Sequence, residues 1–315
     1  MIFIPISLAV ILIAVLTISY VCFRRVFYSA PRKPLGKDEY DLPKGEVYKP
    51  FHEGMIKWIK ETRSLPHEDV EITSRDGLTL RGKYYEYKKG APVEIMLHGY
   101  LGHIERDLCG GAQRAFALGR NALLVNQRAA GTSDGSVITF GIKERHDCID
   151  WAKYVCDRFG ENTPIYLTGI SMGASTVMMA AADEELPKNV SFVLADCGFT
   201  SAREIIGKIL TEMKLPPKLV YPFIKLGARI YGGFSLDETS AIEAVKKARV
   251  PVIFIHGDSD DFVPFSMSER LYDACITKKE LVAIEGAAHG VSYPTDKERY
   301  VEALRDFEQK CKSDL

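Results

Sequence analysis

The chain has 315 residues and seven cysteines, none of them in a C-x-x-C pair or at zinc-finger spacing. They stand at 22, 109, 148, 156, 197, 275 and 311, scattered and odd in number. That pattern argues against a disulfide framework and fits a reducing compartment. Neither sign of charge is in excess: 41 Lys and Arg face 42 Asp and Glu, a formal net charge of -1. With no basic stripe interleaved with aromatics, nucleic acid is not an expected partner. Internal repeats and low-complexity tracts are also missing, which argues against solenoids and long disordered arms. What is present, 46% hydrophobic and 26% charged residues, suits one large α/β domain with appendages.

Residues 2–23 form the one long apolar run, and it carries no charge. As a helix it spans about 33 Å, enough for a bilayer core. A cleaved signal peptide wants a basic n-region, yet only the α-amine precedes the run. Tyr28-Ser29-Ala30 would put a tyrosine at the critical cleavage position, and the residues before Cys22 make a poor lipid-attachment site. The expectation is a single-pass anchor that is not cleaved. Arg24, Arg25, Arg32, Lys33 and Lys37 follow it closely, which predicts an outside N-terminus and a cytoplasmic domain. Residues 24–50, with prolines 31, 34, 43 and 50, read as a linker or loosely packed neck. Met55, Ile56, Trp58 and Ile59 then suggest a short amphipathic helix packed on the domain edge.

The domain itself is expected over 51–315. Val70 to Thr73 and Leu78 to Tyr87 read as strands joined by the hairpin turn Arg75-Asp76-Gly77. Strand patterns at 93–97, 122–125, 165–167, 190–195, 250–255 and 281–284 alternate with helical ones. The expected architecture is a mainly parallel sheet covered by helices on both faces, with the hairpin as an antiparallel edge. Residues 199–238 interrupt the alternation with helical patterns around Pro216-Pro217. An insertion of this length in a compact domain predicts a cap that walls the pocket.

The stretch PIYLTGISMGASTVMMAAA, 164–182, carries the chemistry. A strand climbs to Gly169-Ile170-Ser171-Met172-Gly173 and passes directly into a small-residue helix. A turn that sharp strains its apex, so the neighbours of Ser171 must lack bulk. This pattern identifies Ser171 as a nucleophile whose following amide, that of Met172, lies at a helix N-terminus. A second copy, Gly131-Thr132-Ser133-Asp134-Gly135, follows a polar stretch and leads into no helix, so its glycines read as turn residues. Strand 93–97 ends in His98-Gly99-Tyr100, which offers the Tyr100 amide as a second oxyanion donor and leaves His98 a structural role. Strand 252–257 ends in an acid-rich turn, where Asp258, Asp260 and Asp261 compete with Asp196 to orient an imidazole. His289, flanked by small residues after the last strand, is the candidate base.

On these residues the chain resembles an α/β-hydrolase from about Val70 to its C-terminus. The order Ser171, Asp260, His289 is that family's order, and His256-Gly-x-x-Asp260-x-x-Val263-Pro264 is similar to its acid turn, which favours Asp260. Asn126-Gln127-Arg128-Ala129-Ala130-Gly131-Thr132-Ser133 resembles a family loop written Asp-x-Arg-Gly-His-Gly-x-Ser, with departures at Asn126 and Ala129-Ala130. Within the family the likeness runs to bacterial single-span, membrane-tethered hydrolases of the serine-aminopeptidase and esterase-like branch. The resemblance implies attack by Ser171 on an acyl carbonyl with His289 as base, Asp260 as its support, and the Tyr100 and Met172 amides as oxyanion hole. It implies no metal and no organic cofactor. The expected substrate is a small carboxylic ester or thioester with an apolar acyl group. A serine peptidase and a non-catalytic membrane-tethered scaffold are the alternatives.

Overall fold

The computed structural model describes residues 3–30 and 35–313. Pro31, Arg32, Lys33 and Pro34, counted above in the neck and among the cations, lie outside the described residues. Eight strands form one sheet: β1 (Glu68–Thr73), β2 (Thr79–Tyr85), β3 (Val93–Leu97), β4 (Asn121–Val125), β5 (Ile165–Ile170), β6 (Val190–Asp196), β7 (Val252–Gly257) and β8 (Lys279–Ile284). Their order is β1-β2-β4-β3-β5-β6-β7-β8. Strand β2 pairs antiparallel with β1 and β4, and every other neighbouring pair is parallel. The hairpin edge and the parallel body are therefore as the sequence pattern predicts. The central strands are buried on both faces, which is why they read as continuous apolar runs rather than alternating ones.

The helices are α1 (Phe3–Val26), α2 (His52–Ser64), α3 (Ile104–Asp107), α4 (Gly111–Ala117), α5 (Glu144–Phe159), α6 (Met172–Ala180), α7 (Ala202–Glu212), α8 (Pro217–Tyr231), α9 (Ala241–Val245), α10 (Phe265–Ala274), α11 (Ser292–Thr295) and α12 (Lys297–Lys312). One face of the sheet is closed by α5, α6, α9 and α10 through Trp151, Val155, Val177, Val245 and Leu271. On the other face, Tyr300, Leu304 and Phe307 of α12 pack under β6 to β8.

Two expectations about the periphery need correction. Helix α1 does not hand over to a loose neck. Phe23 and Phe27 enter a core cluster with Phe140, Ile224 and Phe234, and Tyr28 bridges to Val137. Further on, Arg63 of α2 donates to the carbonyls of Lys37 and Glu39, and His103 meets Asp41 at 3.0 Å. Aromatic and ionic anchors spaced through a Pro-rich stretch hold it against the domain, and no periodicity announces them. The second correction concerns 199–238. It folds as α7 and α8, helical as expected, but α8 packs along α1: Gly227 lies so close to the Ser19 carbonyl that a Cβ there would stand 2.4 Å from it.

Beneath the site, the sheet holds a buried charge cluster that the pattern analysis did not single out. Glu94 on β3 accepts from Arg114 at 2.5 Å, Arg120 at 3.1 Å and the Thr168 hydroxyl at 2.7 Å. Burial opposes its charge, yet the two guanidiniums hold its carboxyl below the usual range. Removing Glu94 leaves the buried Arg114 without a counter-charge, while Arg120 keeps Glu308, at a cost of about 3–5 kcal/mol. Glu94→Ala should therefore lower the thermal midpoint far more than Glu161→Ala, in an exposed turn, when the detergent-solubilised full chain is melted.

Candidate active site

Ser171 sits between β5 and α6 with φ 56 and ψ −114, the strained apex that the glycine pattern requires. The bracketing glycines have a geometric cause. A Cβ on Gly169 would stand 2.1 Å from the Gly173 carbonyl carbon, and one on Gly173 would stand 2.3 Å from the Leu97 carbonyl oxygen of β3. Strand, turn and helix can approach this closely only without side chains there.

From that apex the Ser171 Oγ reaches His289 Nε2 at 2.9 Å, and His289 Nδ1 reaches Asp260 Oδ2 at 2.7 Å. A carboxylate only accepts, so Nδ1 carries the imidazole proton and Nε2 is left to accept from the Ser171 hydroxyl. Asp260 is held by its own turn. The amides of Phe262 and Val263 both donate to Oδ1, at 2.9 and 2.8 Å. Burial disfavours its charge, but hydrogen bonds from His256 and His289 outweigh burial and keep its carboxyl well below the ordinary range. His256 is a partner that the motif reading left without a task. Its Nε2 lies 3.1 Å from Asp260 Oδ2 and 2.9 Å from the Val263 carbonyl, while Nδ1 meets the Ser268 hydroxyl at 2.6 Å. Two acceptors at Nε2 fix the proton there and make Ser268 the donor to Nδ1.

The competing acids go elsewhere. Asp196 accepts from Tyr300 and Ser292, and Asp258 from the Gly286 amide. Asp261 offers its backbone carbonyl to Lys208. Ser133 receives the Arg81 amide at 2.8 Å and donates to the Asn126 carbonyl at 2.6 Å, which makes it a loop tie. His98 donates to the Gly99 carbonyl and accepts the Gln127 amide; burial pushes its imidazole down to about 4, so it stays neutral.

The amides of Tyr100 and Met172 donate to no acceptor among the described residues. Met172 opens α6, and the turn before Tyr100 is pinned by the Gly99 amide on Asp107 at 2.9 Å. The Tyr100 hydroxyl donates to the Val26 carbonyl at the end of α1. Cys197, Asp260 and His289 bring a thiol, a carboxylate and an imidazole within 4.8 Å of one another. That donor set could hold a soft ion only by breaking the Asp260–His289 bond, and burial pushes the Cys197 thiol well up, away from the thiolate a metal requires.

A cavity of about 280 Å³ opens on Ser171 and His289. Its walls include Met55 and Trp58 of α2, Tyr48 of the neck, Leu108, Phe262 and Tyr293, and no residue of 199–238 lines it. Trp58 stacks on Tyr293 with centroids 5.4 Å apart. The wall of this cavity thus comes from the neck and α2, while 199–238 packs its apolar residues with Met172 and Tyr100. The signal was present in the apolar spacing of Met55 and Trp58, but amphipathicity says that a helix packs, not what it packs over.

Comparison with known proteins agrees with this architecture. The prolyl oligopeptidase family matches over residues 139–314. The Bacillus subtilis protein YqkD is 29% identical over 191 residues, 60% of this chain and 62% of that one. A lysophosphatidylserine lipase of Danio rerio is 26% identical over 226 residues, 66% of this chain and 54% of the lipase. The chain thus spans less than two thirds of either relative's length. Among solved structures, an esterase from Pyrococcus furiosus superposes with a TM-score of 0.66 at 21% identity, covering 90% of this chain and 98% of the esterase. A Penicillium α/β-hydrolase superposes at 0.61 with 19% identity, over 78% of this chain and 99% of its own. Sheet order, serine apex and family match agree: the chain is an α/β-hydrolase and belongs to the prolyl oligopeptidase family.

Proposed function

We propose that the protein is a membrane-anchored serine hydrolase that cleaves carboxylic esters or thioesters of small, apolar acyl substrates. One observation carries the reading: the hydrogen-bonded series Ser171, His289, Asp260 opens on a largely apolar cavity. His289 takes the hydroxyl proton as Ser171 attacks the acyl carbonyl, Asp260 supports the imidazolium, and the free amides of Tyr100 and Met172 hold the oxyanion. Water then releases the acyl group. The name of the Danio rerio relative, a lysophosphatidylserine lipase, and those of the esterase neighbours favour ester over amide substrates. The family's name keeps a peptidase as the second reading. A panel of esters of graded acyl length beside matched thioesters and aminoacyl amides tests this, together with fluorophosphonate labelling. Turnover of amides alone would overturn the ester reading, and the absence of any Ser171 adduct would leave only a scaffold.

The anchor is proposed on the same footing. Ser7–Val26 is long and apolar enough to cross a bilayer, with mean hydropathy 2.1, a property it shares with signal sequences. Cleavage after Ala30 would remove Phe27, which is fully buried, and the Val26 carbonyl that receives the Tyr100 hydroxyl. Those contacts favour retention. Loss of a buried phenylalanine costs about 3–5 kcal/mol, so Phe27→Ala should lower the midpoint of thermal unfolding markedly, whereas Ile11→Ala, exposed on α1, should not. Arg24 and Arg25 in the last turn of α1 favour a cytoplasmic domain. A membrane-impermeant protease should spare the domain in intact spheroplasts and digest it after lysis; digestion before lysis would reverse the orientation.

A further inference from the structure

Helix α8 has two apolar faces, and the described residues cover only one. Inward, Ile224 and Ala228 are buried with Phe23 of α1 and Phe27 just after it. Outward, Leu219, Phe223, Leu226 and Ile230 follow one another at spacings of four, three and four, a single stripe on a helix surface. Leu219 is 67% exposed and Ile230 49%, while Phe223 and Leu226 are partly exposed. The loop leading into the helix adds Met213 at 63%. Beside the stripe stand the exposed cations Lys218, Lys225 and Arg229, and Pro217–Tyr231 holds no acidic residue. Lys225 also pairs with Asp237.

The position of α8 against α1 says what meets this face. Tyr231, the last residue of α8, donates to the Leu16 carbonyl at 3.1 Å and packs on Tyr20 and Phe23. Leu16 lies eight residues before Arg24, about 12 Å along the helix axis toward the N-terminus. The last turns of α8 therefore run beside the apolar part of α1, beyond the cations that end it. On α1 the residues not covered by α8, such as Ile11, Leu12, Ile13 and Ile18, are exposed, so a bilayer around them also meets the Ile230 end of the outer stripe, while Leu219 lies about 16 Å back toward the cations that end α1.

We infer that α8 is a second membrane contact, an amphipathic helix running beside α1 whose outer stripe passes from the headgroup layer of an anionic bilayer at Leu219 toward the apolar region at Ile230. The inference rests on reading α1 as a retained anchor. An apolar stripe flanked by lysine and arginine is the pattern of helices that lie in the interface, and Arg24, Arg25, Lys218 and Arg229 add attraction to anionic lipid. Two contacts fix the tilt of the domain on the membrane, which a single span leaves free to rotate.

Tryptophan scanning tests this, because the chain holds only two tryptophans, Trp151, which is buried, and Trp58, half-buried in the cavity wall away from α8. The full chain would be reconstituted in phosphatidylcholine–phosphatidylglycerol vesicles, with and without brominated acyl chains, as Leu219→Trp, Ile230→Trp, Ile11→Trp and Glu161→Trp. Glu161 lies in the turn before β5, at the opposite end of the sheet from Ser171. The expected result is loss of the added emission to bromine at 219, 230 and 11, and none at 161. Quenching at 11 but not at 219 and 230, with aqueous acrylamide quenching the latter two, would overturn the α8 contact and leave the anchor standing. Protection of 219 and 230 from both quenchers would also overturn it, in favour of a second protein copy. Quenching at 219 and 230 without quenching at 11 would uphold α8 and refute the span. Retained fluorophosphonate labelling shows that each variant is folded.

Discussion

Ser171→Ala is expected to lower ester turnover by about 10⁴–10⁶-fold and abolish fluorophosphonate labelling, with unfolding unchanged. The loss is large because serine, histidine and acid act as one unit: without Oγ, the imidazole has no proton to take. Ser133→Ala makes the sharper comparison. It removes the same atom from the same five-residue pattern, but its hydroxyl only ties the Arg81 amide to the Asn126 carbonyl. That variant should keep labelling and lose at most about 1–3 kcal/mol of stability, the desolvation cost of an unsatisfied amide. Equal loss of labelling in both, with folding preserved, would remove Ser171 from the nucleophile's place.

The contrast between the two serines shows what a linear pattern can carry. A local constraint is written locally: Gly169 is glycine because the Gly173 backbone, four residues on in the same strand–turn–helix, would clash with any Cβ, whereas Gly173 meets the Leu97 carbonyl of the neighbouring strand β3. The parallel body was legible for the same reason, since strands buried on both faces read as unbroken apolar runs. Neck and cap were not. Whether 199–238 covers Ser171 depends on where α1 lies, and α1 lies against α8 through Gly227, Phe23 and Tyr231, pairs some 200 residues apart. Composition called 24–50 loose because it counts prolines, whereas Phe27, Tyr48 and the Arg63 bonds to two neck carbonyls decide its packing. Glu94 and His256 were given no task by the sequence for a different reason. Each sits in an apolar strand and acquires meaning only from partners brought by other elements.

Asp260→Asn is the second large effect, and the turn around the residue dictates its sign. The amides of Phe262 and Val263 both donate to Oδ1, so an asparagine at 260 must place its carbonyl oxygen there. Its NH2 group then occupies the position of Oδ2, facing His289 Nδ1 at 2.7 Å and His256 Nε2 at 3.1 Å. Facing a donor, Nδ1 must accept, and the imidazole proton moves to Nε2. That nitrogen now donates to Ser171 and cannot take its proton. The expected outcome is a fall in kcat of about 10⁴-fold with KM little changed, since the cavity walls are untouched. Asp196→Asn and Asp258→Asn have no hydrogen bond to His289 to lose, and both should stay near the parent kcat. Nitrogen NMR of the His289 ring reads the tautomer directly: protonated Nδ1 in the parent, protonated Nε2 in Asp260→Asn. A tenfold effect or less at 260, or a loss at 196 or 258 in its place, would assign the supporting acid elsewhere, whatever the chemistry at Ser171.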